Sequence, residues 1–195
     1  MLGTLAALSG CDPVGTPPGR AAGPAYPEDE QITKALQEDY AQDPSSAQAR
    51  DLVRRLGGDQ GTLQYAVRRV VYRQPAYEVH YDVALKLAQD GAESLRALYA
   101  SMVPAPEDAK LQDKSLAGYE QWLAAQAQAL EKTDKAQAAA LRRSVETLGK
   151  CYRERKSGET VDLMGGLRAL VSPARDGFYA EKLESPRLQL VCLPA

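Results

Sequence analysis

The chain has 195 residues, which is enough for one domain with a modest tail. Its 24 basic and 26 acidic side chains leave a formal net charge of −2, so the composition gives no electrostatic reason to expect a nucleic-acid partner. Apolar residues make up 44% of the chain, but no run approaches the roughly 20 apolar residues that cross a bilayer, which excludes a multi-pass membrane protein.

Residues 1–10 are uncharged and mostly apolar or small, and they lead directly into Cys11. This pattern is typical of the end of a secretory signal, so these residues are predicted to be a signal-peptide remnant. The segment Leu8-Ser9-Gly10-Cys11 resembles the lipobox of bacterial lipoproteins. The resemblance implies that the chain is cut before Cys11 and that this cysteine is lipidated. Because no Lys or Arg precedes Arg20, we expect the basic start of the signal to lie upstream of Met1.

Residues 11–27 are predicted to form the lipidated cysteine and a tether. Half of the segment from Asp12 to Pro27 is proline or glycine, so it resists regular structure. At about 3.1 Å per residue the segment holds a domain up to about 50 Å from a bilayer. The resemblance therefore implies a periplasmic protein that is lipid-anchored to the cell envelope, with the choice of inner or outer membrane open. The alternative is an ordinary N-terminal segment with an incidental cysteine.

Residues 28–195 are predicted to form one helical domain. Ile32, Leu36 and Tyr40 are four residues apart and predict a first helix that ends at Asp43-Pro44. A second helix is predicted from Ser45 to the glycine pair Gly57-Gly58. A third helix is predicted from an apolar stripe at helical spacing, which consists of Leu63, Ala66, Val67, Val70 and Val71.

The segment from Tyr77 to Leu87 is ambiguous. Its apolar residues alternate, which favours a strand, but Val79, Val83 and Leu87 also stand four apart. We favour a helix because both flanks are predicted to be helical and a lone strand has no partner. Another helical stripe ends at Met102. The short helices from Ser46 to Met102 loosely resemble HEAT-type helical pairs, without a repeated motif.

The second half of the domain is predicted to contain two long antiparallel helices. The first runs from Leu116 to Leu130 and the second from a Thr133 cap to Tyr152, although one continuous rod is the alternative. A short helix through Val161, Leu167 and Leu170 follows, and residues 187–193 alternate as an extended C-terminus. The predicted fold class is therefore all-α, with about seven or eight helices.

The cysteine count agrees with an envelope location. Once Cys11 is lipidated, Cys151 and Cys192 remain, which is the even number that an oxidising compartment favours. A disulfide between them would close a loop of about 42 residues and stabilise the fold by roughly 4 kcal/mol on the chain-entropy model. The alternative is two buried free thiols. The cysteines and the lone histidine lack zinc-ligand spacing, so no metal site is predicted.

Few residues carry chemistry. His80 is the only histidine, and on a helix it shares no face with Asp82, so we expect a structural or solvated role. Carboxylate pairs such as Glu78 and Asp82 stand in charge-rich surroundings rather than the apolar pocket that a glycosidase acid needs. The segment Gly57-Gly58-Asp59-Gln60-Gly61 has neither the Lys-Ser/Thr of a phosphate loop nor a preceding strand. The glycine pair Gly165-Gly166 is expected to serve close packing or a hinge. We therefore predict no catalytic residue, no cofactor and no enzymatic activity.

Tyrosine is unusually common, with ten residues against one Phe and one Trp. Tyrosine and arginine are enriched at protein interfaces, and both concentrate in one window of this chain. The alternative is half-buried helical tyrosines beside a solvated arginine face. The predicted partner-binding residues are Tyr65, Arg68, Arg69, Tyr72, Arg73, Tyr77 and Tyr81.

A small tethered domain without catalytic groups resembles the immunity lipoproteins that protect bacteria from antibacterial effectors of type IV or type VI secretion systems. The resemblance rests on the lipobox, the tether and the size, and it implies stoichiometric binding of a protein partner. The alternative is a scaffold or assembly lipoprotein of an envelope complex, and a third reading is an envelope hydrolase. The predicted partners are a protein and, through the anchor, a membrane; nucleic acid is not expected, and a homodimer is left open.

Overall fold

A computed structural model describes residues 26–194, which form a mixed α/β domain rather than the predicted all-α one. The predicted signal remnant and Cys11 lie outside the described residues. The α-helices are α1 (Asp29–Gln42), α2 (Ala47–Gly57), α3 (Gly91–Met102), α4 (Ala105–Asp108), α5 (Leu116–Leu130) and α6 (Lys135–Tyr152). The strands are β1 (Thr62–Tyr72), β2 (Tyr77–Lys86), β3 (Thr160–Ala174), β4 (Gly177–Leu183) and β5 (Gln189–Leu190). A short 3-10 helix, Pro44–Ser46, joins α1 to α2.

The strands form one antiparallel sheet. Its order is β1-β2-β3-β4, and the short strand β5 pairs with β3 at Met164 and Gly165, outside the stretch of β3 that pairs with β4. The hairpin of β1 and β2 turns through a cis peptide bond at Gln74-Pro75. Helices α3 to α6 are inserted between β2 and β3, so the two central strands come from opposite ends of a long helical insertion. This arrangement leaves β1 as an edge strand.

The predicted third helix is wrong, because residues 62–72 form β1. Leu63, Tyr65 and Val67 alternate toward one face, and a β-bulge at Arg68 then shifts the register by one residue. The inward positions resume at Val70. A step of three inserted among steps of two imitates the i, i+3, i+4 spacing of a helix, which explains the wrong prediction.

The preferred helix over residues 77–87 is also wrong, and the strand alternative is correct. The short helix predicted through Val161 and Leu170 is likewise a strand, β3. Here two register shifts against β2 distort the alternation. Gly166 has a φ of +73°, and a Cβ added to it would lie 2.5 Å from the carbonyl oxygen of Arg187, so this position requires glycine. Because these segments are strands, the expected helical pairs do not form.

Apart from the short helix α4, which is not predicted, the remaining helices lie where the sequence predicts them. Helices α1, α2 and α3 match the predicted segments, and α5 and α6 form the antiparallel hairpin. The N-cap of α6 is Asp134 rather than the predicted Thr133, because the Asp134 side chain accepts a hydrogen bond from the backbone nitrogen of Gln137 at 2.9 Å. The C-terminal segment is extended only at β5.

Two apolar cores stabilise the domain. In the first, Ile32 and Leu36 of α1 pack against the sheet at Tyr77, Val79 and Val171. In the second, the helical insertion packs on the opposite end of β2 and β3. Its largest buried members are Leu56, Leu85, Leu95, Tyr99, Leu123, Tyr152 and Leu163.

A disulfide between Cys151 and Cys192 joins the end of α6 to the C-terminal segment, the pairing that the cysteine count predicts. The Tyr152 hydroxyl donates to the carbonyl oxygen of Cys192 at 3.2 Å and fixes the same junction. Within residues 26–194, no helix combines the length and the apolar character needed to span a membrane.

Candidate functional site

The two faces of the sheet differ in what covers them. Along β2 the side chains of Tyr77, Val79 and Tyr81 are buried beneath α1 on one face, which we call the inner face. Glu78, His80 and Asp82 alternate with them onto the opposite, outer face. The outer face also carries Arg69 and Arg73 from the β1 side, Arg168, Leu170 and Ser172 of β3, and Tyr179 and Glu181 of β4. These side chains are exposed or half-buried except for Glu78, so the outer face is open to solvent.

The structure divides the seven predicted partner-binding residues between the two faces. All four tyrosines lie on the inner face, where Tyr77 and Tyr81 are buried and Tyr65 and Tyr72 are half-buried. The remaining three residues, Arg68, Arg69 and Arg73, are exposed on the outer face or at its bulge. The seven residues therefore do not form one surface, and partner binding stays a prediction for the three arginines.

The tyrosines instead have a packing role. At the hairpin end of the sheet, the ring of Tyr77 lies 5.4 Å from that of Tyr72 and 6.3 Å from that of Phe178. The ring of Tyr26 also lies 5.4 Å from Tyr77. The last residues of the predicted tether therefore approach the domain beside the β1–β2 turn. The helical insertion lies at the other end of the strands.

A buried carboxylate organises the outer face. Glu78 is only 9% exposed, and its carboxylate accepts from Arg73 Nε at 2.9 Å and from Arg168 at 3.2 Å. The Nε2 atom of His80 lies 3.0 Å from the same carboxylate. The hydrogen bond from Arg73, assisted by Arg168, lowers the pKa of Glu78 although burial opposes it. Glu78 is therefore ionised at neutral pH and holds two guanidinium groups in place.

The two guanidinium groups that Glu78 holds differ in exposure. Arg168 also donates through Nε to the carbonyl oxygen of Glu184 at 3.0 Å, and only 28% of its side chain is exposed. Arg73 is 57% exposed, so much of its guanidinium still faces solvent. Arg168 thus supports the face from a largely covered position, while Arg73 is exposed to solvent.

A second arginine–carboxylate pair lies at the β-bulge of β1. Arg68 Nε donates to Asp82 at 2.7 Å, and 65% of the Arg68 side chain is exposed. Asp82 also accepts from the backbone nitrogen of Gly166 at 2.8 Å. The Gly166 hydrogen bond is the largest cause that lowers the pKa of Asp82, and the Arg68 hydrogen bond adds to it. Arg68 is therefore positioned by a carboxylate that is itself fixed to β3.

Positive charge concentrates along the β1 edge of the outer face. Arg69 is exposed, and no ion pair to it is present within residues 26–194. The three arginines, which come from β1 or the residue after it, outnumber the two carboxylates that pair with them, Glu78 and Asp82 of β2. The acidic Asp162 and Glu181 lie on β3 and β4. Sequence reasoning found these arginines, but it missed Arg168 and the supporting roles of Glu78 and Asp82. The alternation of Glu78, His80 and Asp82 was the available signal, since it places all three on one face of a strand.

The described part of the chain holds no group of three or more His, Cys, Asp or Glu side chains that is placed to bind a metal ion. The chain matches no protein-family model, no curated protein and no solved structure. Its function is therefore argued from its own residues. Those residues arrange fixed guanidinium groups on an open sheet face, which suits recognition of carboxylates.

Proposed function

We propose that this chain is a lipid-anchored protein of the bacterial envelope that neutralises a protein partner, an antibacterial effector, by stoichiometric binding. The arginine edge of the outer face makes the contact, through Arg68, Arg69 and Arg73. The observation that carries the proposal is that buried Glu78 and half-buried Asp82 hold two of these exposed guanidinium groups in place before any partner binds.

Such preorganisation favours binding because ordering a long side chain at an interface costs about 0.5–1.5 kcal/mol, and part of that cost has already been met at Arg68 and Arg73. Arginine is also among the residues most enriched at the energetic centres of interfaces. The partner surface is acidic, since it must complement a net positive edge. Occlusion of the effector by the open face of the sheet then requires no catalytic group on this chain.

The anchor rests on the Leu8-Cys11 segment and its resemblance to the lipobox. Lipidation at Cys11 and a tether through Pro27 place the domain close to a bilayer yet free to turn, which suits capture of an effector at the envelope. The described chain begins beside the hairpin end of the sheet, where the rings of Tyr26 and Tyr77 lie 5.4 Å apart.

The experiment is co-purification of the lipidated protein with the product of the neighbouring gene, followed by measurement of the mass of the complex. The proposal expects a one-to-one complex that forms more slowly as the salt concentration rises, because exposed charges are screened. Membership of a large multi-subunit assembly would instead support the scaffold alternative. Absence of any tight complex would overturn the proposal.

A further inference from the structure

A separate pocket lies between α1 and the inner face of the sheet. It has a volume of about 320 Å³, within the range of small-molecule sites. Most of its wall is apolar and comes from the sheet, the end of α1 and the segment after β4. The main apolar wall residues are Leu36, Leu63, Val83, Met164, Leu167 and Leu188.

Three tyrosines bring polar atoms and ring faces into this pocket: Tyr40 from α1, Tyr65 from β1 and Tyr81 from β2. The Tyr65 and Tyr81 rings lie 6.1 Å apart with an angle of 37° between their planes. The Tyr40 hydroxyl is buried and has no hydrogen-bond partner among residues 26–194. Burial raises the pKa of Tyr81 to about 12 and also raises those of Tyr40 and Tyr65, so all three hydroxyls are protonated at neutral pH.

One carboxylate in the pocket is left without a direct partner. Asp39 is half-buried, and its side chain makes no hydrogen bond or close ion pair within the described residues. Burial raises its pKa, the positive charge of Lys182 opposes that rise, and the negative charges of Asp43 and Glu181 add to it. Burial is therefore the main cause of the raised pKa, and Asp39 has no hydrogen-bond partner in the described part of the chain that offsets it.

Three cations lie beside the pocket, and each has partners of its own. Arg50 donates to the carbonyl oxygens of Tyr40 and Asp43 and lies 6.0 Å from the centroid of the Tyr40 ring. Lys182 donates to the Asp43 carboxylate and, at 2.6 Å, to the Ser46 hydroxyl. The guanidinium group of Arg168 bonds to Glu78 and to the carbonyl oxygen of Glu184. The positive charge of Lys182 acts on Asp39 without a hydrogen bond or a close ion pair between them. A partly desolvated carboxylate without a hydrogen bond is costly, so a ligand that pairs with it gains free energy.

We infer that this pocket binds a small organic ammonium ion with an apolar body, whose charged nitrogen lies between the Asp39 carboxylate and the rings of Tyr65 and Tyr81. Electron-rich ring faces attract cations, and tyrosine is among the best residues for this contact. The apolar walls accept the body of the ligand. An anion is disfavoured because Asp39, Asp43 and Glu181 all act on the site. The inference does not depend on the proposed function, since the pocket and the arginine edge lie on opposite faces of the sheet.

The test is calorimetric titration of the full chain with 2-phenylethylamine and, separately, with the uncharged 2-phenylethanol. The inference expects the amine to bind with a Kd below about 1 mM, and the alcohol to bind about tenfold more weakly or worse. Asp39→Asn is expected to remove this preference by weakening amine binding about tenfold without changing alcohol binding. Glu38→Gln, an exposed change on the same helix, is the matched control and leaves both affinities unchanged.

Tyr40→Phe provides a second variant that keeps the ring and removes only the unpartnered hydroxyl. It is expected to leave the melting temperature unchanged or slightly raised, because an unsatisfied buried group is lost, and to weaken amine binding a few-fold. Equal binding of amine and alcohol would identify a plain apolar pocket and overturn the inference. Unchanged amine affinity in a folded Asp39→Asn variant, or no binding of the amine, would overturn it as well.

Discussion

Asp82 on β2 accepts a hydrogen bond from the backbone nitrogen of Gly166 on β3, with 2.8 Å between the two atoms. The contact lies where β3 carries an extra residue against β2 and where Gly166 adopts a positive φ. The same carboxylate pairs with Arg68 at the bulge of β1. One side chain thus joins the irregular positions of three adjacent strands and positions an arginine of the outer face.

Replacing Asp82 should therefore weaken the sheet. Asp82→Ala is expected to lower the free energy of unfolding by about 1–3 kcal/mol, because the Gly166 nitrogen and Arg68 both lose a charged acceptor. Urea unfolding of the two proteins measures the difference. Asp162→Ala, an exposed change on β3 with no ion pair in the described structure, should stay within about 0.5 kcal/mol of the parent. Equal losses of unfolding free energy in both variants would contradict the proposed role of Asp82 in joining the three strands.

The contribution of Asp82 should also depend on pH. Its folded-state pKa is lowered from the ordinary value of 3.8, so its charged form stabilises the fold above that value and the stability is lost as pH falls through the folded pKa. The difference in unfolding free energy between the parent and Asp82→Asn should therefore be constant near neutral pH and shrink below 3.8. Other acids titrate in both proteins and cancel in the difference. Parallel profiles down to strongly acidic pH would contradict this account.

Two glycines in helices should respond in opposite ways to alanine. A Cβ added to Gly91 would lie 2.0 Å from the carbonyl oxygen of Tyr152, so Gly91→Ala must displace α3 from α6 and is expected to cost about 1–3 kcal/mol or more. At Gly149 the nearest atom is the flexible end of Arg153 at 3.4 Å. Gly149→Ala should be neutral or stabilise by up to about 1 kcal/mol, since alanine favours the helix. Thermal melting measures the change in melting temperature of each variant. Similar changes in both would contradict the close contact at Gly91 and the looser one at Gly149.

The disulfide should stabilise the junction between α6 and the C-terminal segment. Cys151 and Cys192 are 41 residues apart, which corresponds to about 4 kcal/mol on the chain-entropy model. The double variant Cys151→Ser with Cys192→Ser is expected to lose stability of that order in urea unfolding. Adding a reductant should destabilise the parent protein and leave the double variant unchanged. An equal effect of the reductant on the parent and on the double variant would show that the change in stability does not come from this disulfide.

Lipidation is expected at Cys11, which precedes the described residues. When the chain is expressed behind a signal with a basic start, Cys11→Ser should move the protein from the membrane fraction to the soluble periplasmic fraction. The physical reason is that acyl chains contribute about 0.8 kcal/mol per buried methylene, and no serine can carry them by a thioether bond. Membrane retention of the serine variant would contradict the lipid anchor.

The sequence patterns predict most of the helices but not the strands of the sheet, and the reason is physical. At Arg68 one extra residue converts strict alternation into spacing that resembles a helix, and the extra residues of β3 do the same around Gly166. Because the sequences of β1 and β3 both show helix-like spacing, the alternation in β2 has no second predicted strand with which it could pair. Bulges of this kind depend on contacts between strands, such as that from Asp82, which no local pattern contains.

The candidate site was found in part. Composition identifies the exposed arginines, but it groups them with the tyrosines because both residue types concentrate in one window of the chain. In a strand the two types separate onto opposite faces. The supporting carboxylate of Glu78 was visible only as one of several exposed acids, since its burial and its contact with Arg168 arise from β3, far away in the chain.

The central claim is that the arginine edge binds an acidic partner protein, and a charge reversal at Arg69 tests it most directly. Arg69 has no ion pair in the described structure, so Arg69→Glu should leave the fold intact. In a titration against the neighbouring-gene product, this variant is expected to weaken the one-to-one complex about tenfold or more, because like charges oppose each other across the interface. Arg143→Glu is the matched control, a charge reversal at an exposed position of α6, and it should change the affinity less than about twofold. Equal affinities for the parent, Arg69→Glu and Arg143→Glu would contradict the claim.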